Sequence, residues 1–498
     1  MYPLLLLSMV VVLAGSFISL AVKGRKATSL VATSSLLISF LILLSASLIS
    51  ESLFQGNVSY VEVYSWHPFG TAGFRLDGLS VTFALIVLLV SLMASIFSSS
   101  YMDKRFKEIT NARWSVYYFL LLLFSFGMLG TVLATNIVEF YIFFEVMLIP
   151  SYFLIAEFGH SNKDKASFSY FIWTHIGALL MLAGLIALAY STRTLDIQQA
   201  ARNAITLPAG IEFYIALAIT LGLMVKMAGF GLHAWLPGAY TEAPAPVSAL
   251  LSAAMSGIAG YGIIRLVALT LPGGFSYIAP WLVVWGLISI VYGAIMALAQ
   301  DDLKLLLSYS SISQMGYMTL GIGSFTAFGI AGSVALYASN GFGKGALFMV
   351  AGIIASLISN RSMSSMGGLA KKLPSTSTFS IIAFLTMMGV PPTFGFIAEF
   401  FIFQGAFASA VIAGSYLRLT VALIALLGTI LTTSYSLFAI KKIFFGQLSE
   451  QNSKLEEASL TFILPVAILC AVSLILGITP FLFNTAFSFV NSSMGGIG

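Results

Sequence analysis

Apolar residues run along this chain in blocks of roughly 20, the length that crosses the hydrocarbon core of a bilayer as a helix. Short clusters of charged and turn-forming residues separate the blocks. Blocks begin near residues 2, 28, 78, 114, 136, 168, 211, 246, 277, 303, 327, 375, 414 and 459, which predicts an all-α polytopic membrane protein of about fourteen spans. The first block, Met1 to about Val22, has no basic segment ahead of it. Lys23, Arg25 and Lys26 follow it, so it reads as an uncleaved first span rather than a signal peptide.

The distribution of positive charge tests that count, because Lys and Arg accumulate in short cytoplasmic loops. With an outward N-terminus, sixteen of the 23 Lys and Arg fall on the inner side and only Arg75, Arg193 and Arg202 on the outer side. Lys226, Arg265, Lys344 and Arg418 lie within spans. One miscounted early helix would scramble this asymmetry. Both termini are therefore expected on the outer side of an inner or plasma membrane.

Composition narrows the class further. Hydrophobic residues make up 59% of the chain and charged residues 8%, with a mean hydropathy of +1.00. Such a balance leaves no visible soluble domain. A single cysteine, Cys470, rules out internal disulfides, and the clusters needed for iron–sulfur or structural zinc sites are missing. Four scattered histidines argue against a haem as well. No cofactor or metal is expected.

Two spans carry interruptions. After Lys226 the chain reads GFGLHAWLPGAYTEAPAP, with Pro237, Pro244 and Pro246 each removing a backbone donor. Met388 to Gly395 (MGVPPTFG) interrupts the run that holds Glu399. Irregular backbone at membrane depth needs protein or water around it. Paired interruptions in two halves point to internal repeats with sites near the midplane. The expected organisation is a three-helix segment over 1–113, a first repeat over 114–270 (spans 4 to 8), a second, inverted repeat over 271–440 (spans 9 to 13) and a last span over 441–498. Proline kinks alone would also produce such breaks.

Ionisable side chains inside the spans are the candidate chemistry. Glu145 in FYIFFEVMLIPSYFLI and Lys226 in YIALAITLGLMVKMAGFG sit near the middle of apolar runs. A charge there costs about 3 kcal/mol on insertion scales. Such groups face a bundle interior or a wet cavity, which makes a proton or ion path the first hypothesis.

The strings DGLS (from Asp77), FFEVMLIPSYFLI (from Phe143), VKMAGFGLHAWLPGAYTEAPAPVSALLSA (from Val225), DLKLLLSYSSISQMGY (from Asp302), KGALFMVAG (from Lys344) and GVPPTFGFIAEFFIF (from Gly389) carry a resemblance over nearly the whole chain. The chain resembles the antiporter-like proton-pumping subunits of respiratory complex I, a superfamily shared with multisubunit cation/proton antiporters and membrane-bound hydrogenases. Within it the chain looks most like the subunit M, or chain 4, type. The glutamate of GFIAEFF is typical of that type, and the chain stops soon after span 14 without a long lateral helix.

The resemblance implies roles. Glu145 matches the span-5 glutamate that pairs with the span-7 lysine, here Lys226. Lys344 matches a lysine that hands protons onward, and Glu399 the terminal exit residue. An ion pair fixing helix geometry is the competing reading for Glu399. His233 suits proton uptake from the cytoplasmic side, since imidazole titrates near neutrality, or it is a structural donor at the break. Glu242 is expected to shape the same entrance, and Glu139 to be solvated or interfacial. His175 either supports the Glu145 and Lys226 pair or only cross-links helices.

Three departures stand out. Glycine, Gly257, occupies the site of the usual span-8 lysine, leaving a gap that water can fill, and Gln314 and Asn340 replace common histidines. The resemblance implies partners too: antiporter-like membrane subunits on both flanks, peripheral redox subunits acting at a distance, lipid, and no nucleic acid. The expected function is proton translocation coupled to quinone reduction elsewhere, with no redox chemistry in this chain. A sodium/proton antiporter subunit and a non-conducting scaffold are the alternatives.

Overall fold

The computed structural model describes residues 3–49, 60–107, 109, 113–358, 360–448 and 450–495. Spans 1 to 6 are Leu4–Ala21, Arg25–Ile49, Ser80–Arg105, Trp114–Leu133, Ile137–Phe158 and Lys163–Thr192. Span 7 is broken into Ala209–Met227 and Leu236–Glu242, and span 8 is Ala245–Ala268. Spans 9 to 11 are Pro272–Leu298, Leu303–Gly323 and Ala327–Ile358. Span 12 is broken into Pro374–Met387 and Phe394–Ile412, and spans 13 and 14 are Tyr416–Phe444 and Leu460–Ile478. Among the described residues, thirteen helices are long and apolar enough to cross a membrane. Span 10, whose serines and Gln314 lower its hydropathy, completes the predicted fourteen by packing along span 9. Glycines on both helices permit this, since a Cβ on Gly286 of span 9 would meet the Gly316 carbonyl of span 10 at 2.8 Å. Small residues give membrane helices this close approach.

Spans 3, 8 and 11 form the enclosed centre, with span 8 buried along its whole length. Span 8 is not a plain α-helix. It widens into π-helical turns at Leu251–Met255 and Ile263–Ala268.

The alternation of loops is visible in contacts at one end of the bundle. There Lys104 reaches the Ser356 carbonyl, Arg105 the Phe158 and Gly159 carbonyls, Arg361 pairs with Asp302 and Lys442 with Asp301. The loops before spans 4, 6, 10, 12 and 14 therefore share a face.

The opposite end holds elements the apolar pattern did not predict: an antiparallel hairpin of β1 (Tyr60–Ser65) and β2 (Thr71–Leu76), and a surface helix, Ile197–Ala204. A further helix, Phe481–Met494, follows span 14. The hairpin ties helix starts together. Glu62 accepts from the Leu5 and Leu6 N–H groups at 2.7 and 2.9 Å, capping span 1, and Asn136 donates to the Thr71 carbonyl at 2.9 Å.

Glu139, expected to be solvated or interfacial, is thus not solvated, and it stands in the first turn of span 5. It is buried and forms a capping box with Asn136, accepting also from the Gly73 and Thr135 N–H groups. Arg265, the intraspan arginine, pairs with buried Asp77 at 2.6 Å. Burial alone would raise the Asp77 carboxyl, but the Arg265 guanidinium and the Ser80 N–H hold it below its ordinary value.

Candidate functional site

The first helix of span 7 ends one residue after Lys226, because Ala228 turns into the left-handed region (φ 57°). The Trp235 indole closes the gap by donating to the Val225 carbonyl at 3.0 Å. The chain then resumes as a helix with Pro237 in its first turn, where a missing N–H costs nothing. Lys226 therefore stands at a helix C-terminus inside the bundle, the end whose dipole favours a cation. Its amine is buried, 3.4 Å from the Tyr170 hydroxyl and over the rings of Phe144 and Tyr170, with centroids at 5.5 and 5.4 Å. Rings supply cation–π attraction without hydration.

Glu145 is not in contact with Lys226. It lies within Coulombic reach, but its carboxylate approaches His175 Nδ1 at 3.5 Å, with the Tyr141 hydroxyl alongside. The side chains of Glu145 and His175 are 20% and 40% exposed, so this pair faces the flank of the subunit. In place of the expected contact pair, Glu145 meets His175, the most exposed of the three groups, while Lys226 is the most buried. His175 stands beside Glu145, a contact that also joins spans 5 and 6.

The second break reverses the arrangement. Gly389 takes the left-handed region (φ 65°), and Glu399 lies two turns into the helix after the break. Its carboxylate rests on Gly389: a Cβ there would sit 2.5 Å from Oε2. Among the described residues Glu399 has no ion pair, with Lys344 or otherwise.

Lys344 is buried, donating to the Leu307 carbonyl at 3.0 Å and to Ser310 Oγ. One turn along span 10, Gln314 donates to the Met387 carbonyl at 3.4 Å, at the edge of the break beneath Glu399. The Tyr435 hydroxyl lies beside Ser310, Gln314 and Thr432. Polar side chains therefore line the way from Lys344 to the break before Glu399, with the Tyr435 hydroxyl itself buried without a hydrogen bond among the described residues.

His233 sits on the first break at the side of the bundle, with Nδ1 accepting the Gly231 N–H at 3.1 Å and Nε2 3.1 Å from the Tyr292 hydroxyl. It does not line the large polar cavity. That cavity, of about 820 Å³, opens at the basic end of the bundle between Tyr101, Lys104, Arg105, His160, Lys304 and Arg361. Glu242 braces its wall from behind, accepting the Asn162 N–H at 3.0 Å while its carbonyl accepts the His160 N–H at 2.8 Å.

Lys304, which the charge count treats as a loop lysine, is buried and donates to the Thr241 and Ala243 carbonyls at 3.2 and 2.5 Å. It thereby caps the short second helix of span 7 with a cation. Burial, reinforced by Lys304, Arg105 and Arg361, pushes His160 down to about 3, so it stays neutral. Burial opposes the charge on Asp301, but bonds from Lys442, Ser362 and Ser364 hold its carboxyl at about 2.

The expected gap at Gly257 is closed. A Cβ there would meet Tyr337 Cδ2 at 2.1 Å, and that ring is stacked on Phe83 at 4.2 Å. An aromatic ring, not water, fills the place of the absent lysine side chain. The Tyr337 hydroxyl and both polar atoms of Asn340 are buried without a hydrogen-bond partner among the described residues.

Interrupted helices carrying buried charges of opposite sign define a polytopic antiporter-like membrane subunit. A family profile described as "NADH:quinone oxidoreductase/Mrp antiporter, TM" matches residues 134–432, and one described as "NADH-Ubiquinone oxidoreductase (complex I), chain 5 N-terminus" matches residues 66–108. F(420)H(2) dehydrogenase subunit M of Methanosarcina mazei is 31% identical over 434 residues, covering 85% of this chain and 84% of that protein. NAD(P)H-quinone oxidoreductase chain 4 1 of Synechococcus sp. (strain JA-3-3Ab) is 32% identical over 394 residues, covering 78% of this chain and 73% of that protein. A chain of respiratory complex I from Thermus thermophilus with bound NADH superposes with a TM-score of 0.85 over 98% of this chain and 99% of that one; at 24% identity this is a likeness of fold. The chain belongs to the antiporter-like membrane subunits of the complex I family, of the subunit M or chain 4 type.

Proposed function

We propose that this chain is the proton-translocating, non-redox membrane subunit of a complex I-like pump, in which Lys226 receives a proton, Lys344 passes it on and Glu399 releases it. The observation that carries the reading is this arrangement of buried groups. Three titratable groups are buried at membrane depth, two of them at helix breaks, and Ser310, Gln314 and Tyr435 lie between the second and the break before the third. Charges so placed are costly and mark transport paths.

Glu145 and His175 lie where an antiporter-like neighbour on that flank would touch them, which makes Glu145 the group through which partner subunits disturb Lys226. Moving one charge through 100 mV takes about 2.3 kcal/mol, which rearranging one buried charge contact can supply. Uptake is assigned to the polar cavity at the basic end, which the excess of Lys and Arg puts on the cytoplasmic side, with both termini outside. His233, locked between Gly231 and Tyr292, serves as a pin of the break. The repeats are spans 4 to 8 and 9 to 13, and partner subunits carry the electrons to quinone.

The test uses inverted vesicles holding the assembled complex, fed NADH or a reduced deazaflavin, with a pH-sensitive dye reporting acidification. Lys226→Ala and Glu399→Gln are expected to keep assembly and lose acidification. Unchanged acidification overturns the relay in favour of a scaffold. The matched family profile also covers Mrp antiporters, and sodium-driven acidification without any electron donor would establish that reading instead.

A further inference from the structure

We propose that protons cross between Lys226 and Lys344 along a row of buried hydroxyls, Tyr170, Tyr240, Ser256, Ser252 and Ser311, in place of the lysine missing at Gly257. The inference rests on the relay reading above and specifies its middle section. It begins at Tyr170, whose hydroxyl is 3.4 Å from Lys226 Nζ, 2.8 Å from Ser151 Oγ and 3.2 Å from Met255 Sδ on span 8. Next to Met255, Ser256 Oγ bonds the Tyr240 hydroxyl, and both reach the Leu251 carbonyl, at 3.2 and 2.9 Å. One turn back, Ser252 Oγ is 2.9 Å from Ser311 Oγ on span 10. Ser311 donates to the Leu307 carbonyl at 2.9 Å, the same carbonyl that Lys344 holds at 3.0 Å.

The π-helical turn Leu251–Met255 is what makes the row. Ser252 and Ser256, four residues apart, share one face of this turn, and such turns recur at functional sites. All five hydroxyl-bearing residues are buried. The Ser311 hydroxyl can turn its proton either to the Leu307 carbonyl or to Ser252, so the bond between the two serines can run in either direction.

In each step a hydroxyl accepts a proton on a lone pair and releases the one it carries, so nothing is consumed and only the positions of protons change. Three joints of the row lack a direct hydrogen bond: Tyr170 to Ser256, Ser256 to Ser252, and Ser311 to Lys344, which meet only at the Leu307 carbonyl. Next to Ser256 the Tyr337 ring packs on Gly257 with its hydroxyl unpartnered, and the unpartnered Asn340 lies one turn from Lys344. Buried polar atoms of this kind are the places ordered water occupies.

The experiment compares Ser252→Ala/Ser311→Ala, Tyr240→Phe and Lys226→Ala in the assembled complex, in vesicles fed NADH or a reduced deazaflavin, by acidification per electron. The serine pair is removed together, so no donor is orphaned, and a purely structural role predicts little change. Tyr240→Phe keeps the ring packing and answers the question if the serine variant fails to assemble. Acidification is expected to fall in both to the level of Lys226→Ala. If both pump like the unmodified protein while Lys226→Ala does not, the row is overturned and the relay stands. If Lys226→Ala pumps as well, the relay reading itself has failed.

Discussion

The two helix breaks use one device with opposite sign. In span 7 the charge precedes the break, at the end of a helix, and the side chain is a lysine; in span 12 it follows the break, early in a helix, and the side chain is a glutamate. A helix terminus placed inside the membrane is a partial charge with no water to mask it, negative at the C-terminus and positive at the N-terminus. The surroundings differ in kind as well. Lys226 is wrapped by rings and a hydroxyl, whereas Glu399 rests on a glycine and has no partner among the described residues. The first break surrounds its charged group with partners, and the second leaves its carboxyl without one among the described residues.

Lys226→Arg breaks the comparison most severely. A guanidinium keeps the charge, the rings and the helix end but does not release its proton below a pH of about 12, so assembly should persist while dye-detected acidification falls to background. Acidification that survives would show that charge alone suffices at this site. Gly389→Ala attacks the second break, where the added methyl clashes with the Glu399 carboxylate. Left-handed strain adds a further cost of roughly 1 kcal/mol or more. A lower melting temperature in detergent and reduced transport are expected, with Lys226 untouched. Trp235→Phe removes one clasp of the first break, at a cost of about 1 kcal/mol, read as a small drop in melting temperature. Ala228→Gly should act in the other direction. It relieves the left-handed strain of a residue with a Cβ and stabilises by about 0.5 kcal/mol, because glycine loses more chain entropy on folding and so returns part of the gain.

The fourteen spans, the two breaks and the buried charges were legible because each is written in a contiguous stretch. Helix periodicity, Pro and Gly act locally. What escaped depends on side chains far apart in sequence: Tyr337 filling the space over Gly257, Lys304 folding onto the carbonyls after Thr241, and Ser310 receiving Lys344. Glu139 is the instructive exception. Asn136 and Glu139 spell a capping box three residues apart, a local signal that an eye drawn to costly intramembrane charge passed over. The hairpin was short and lay between two long apolar runs, so its alternation carried little weight.

The contact between Gly257 and Tyr337 also constrains how this lineage can change. Enlarging residue 257 alone drives a side chain into a ring already stacked on Phe83. Shrinking residue 337 alone opens a void, at a cost of about 3–5 kcal/mol for an aromatic core residue. Either single change therefore costs stability unless the other position changes with it, so a charged side chain at 257 is accommodated only together with a smaller residue at 337.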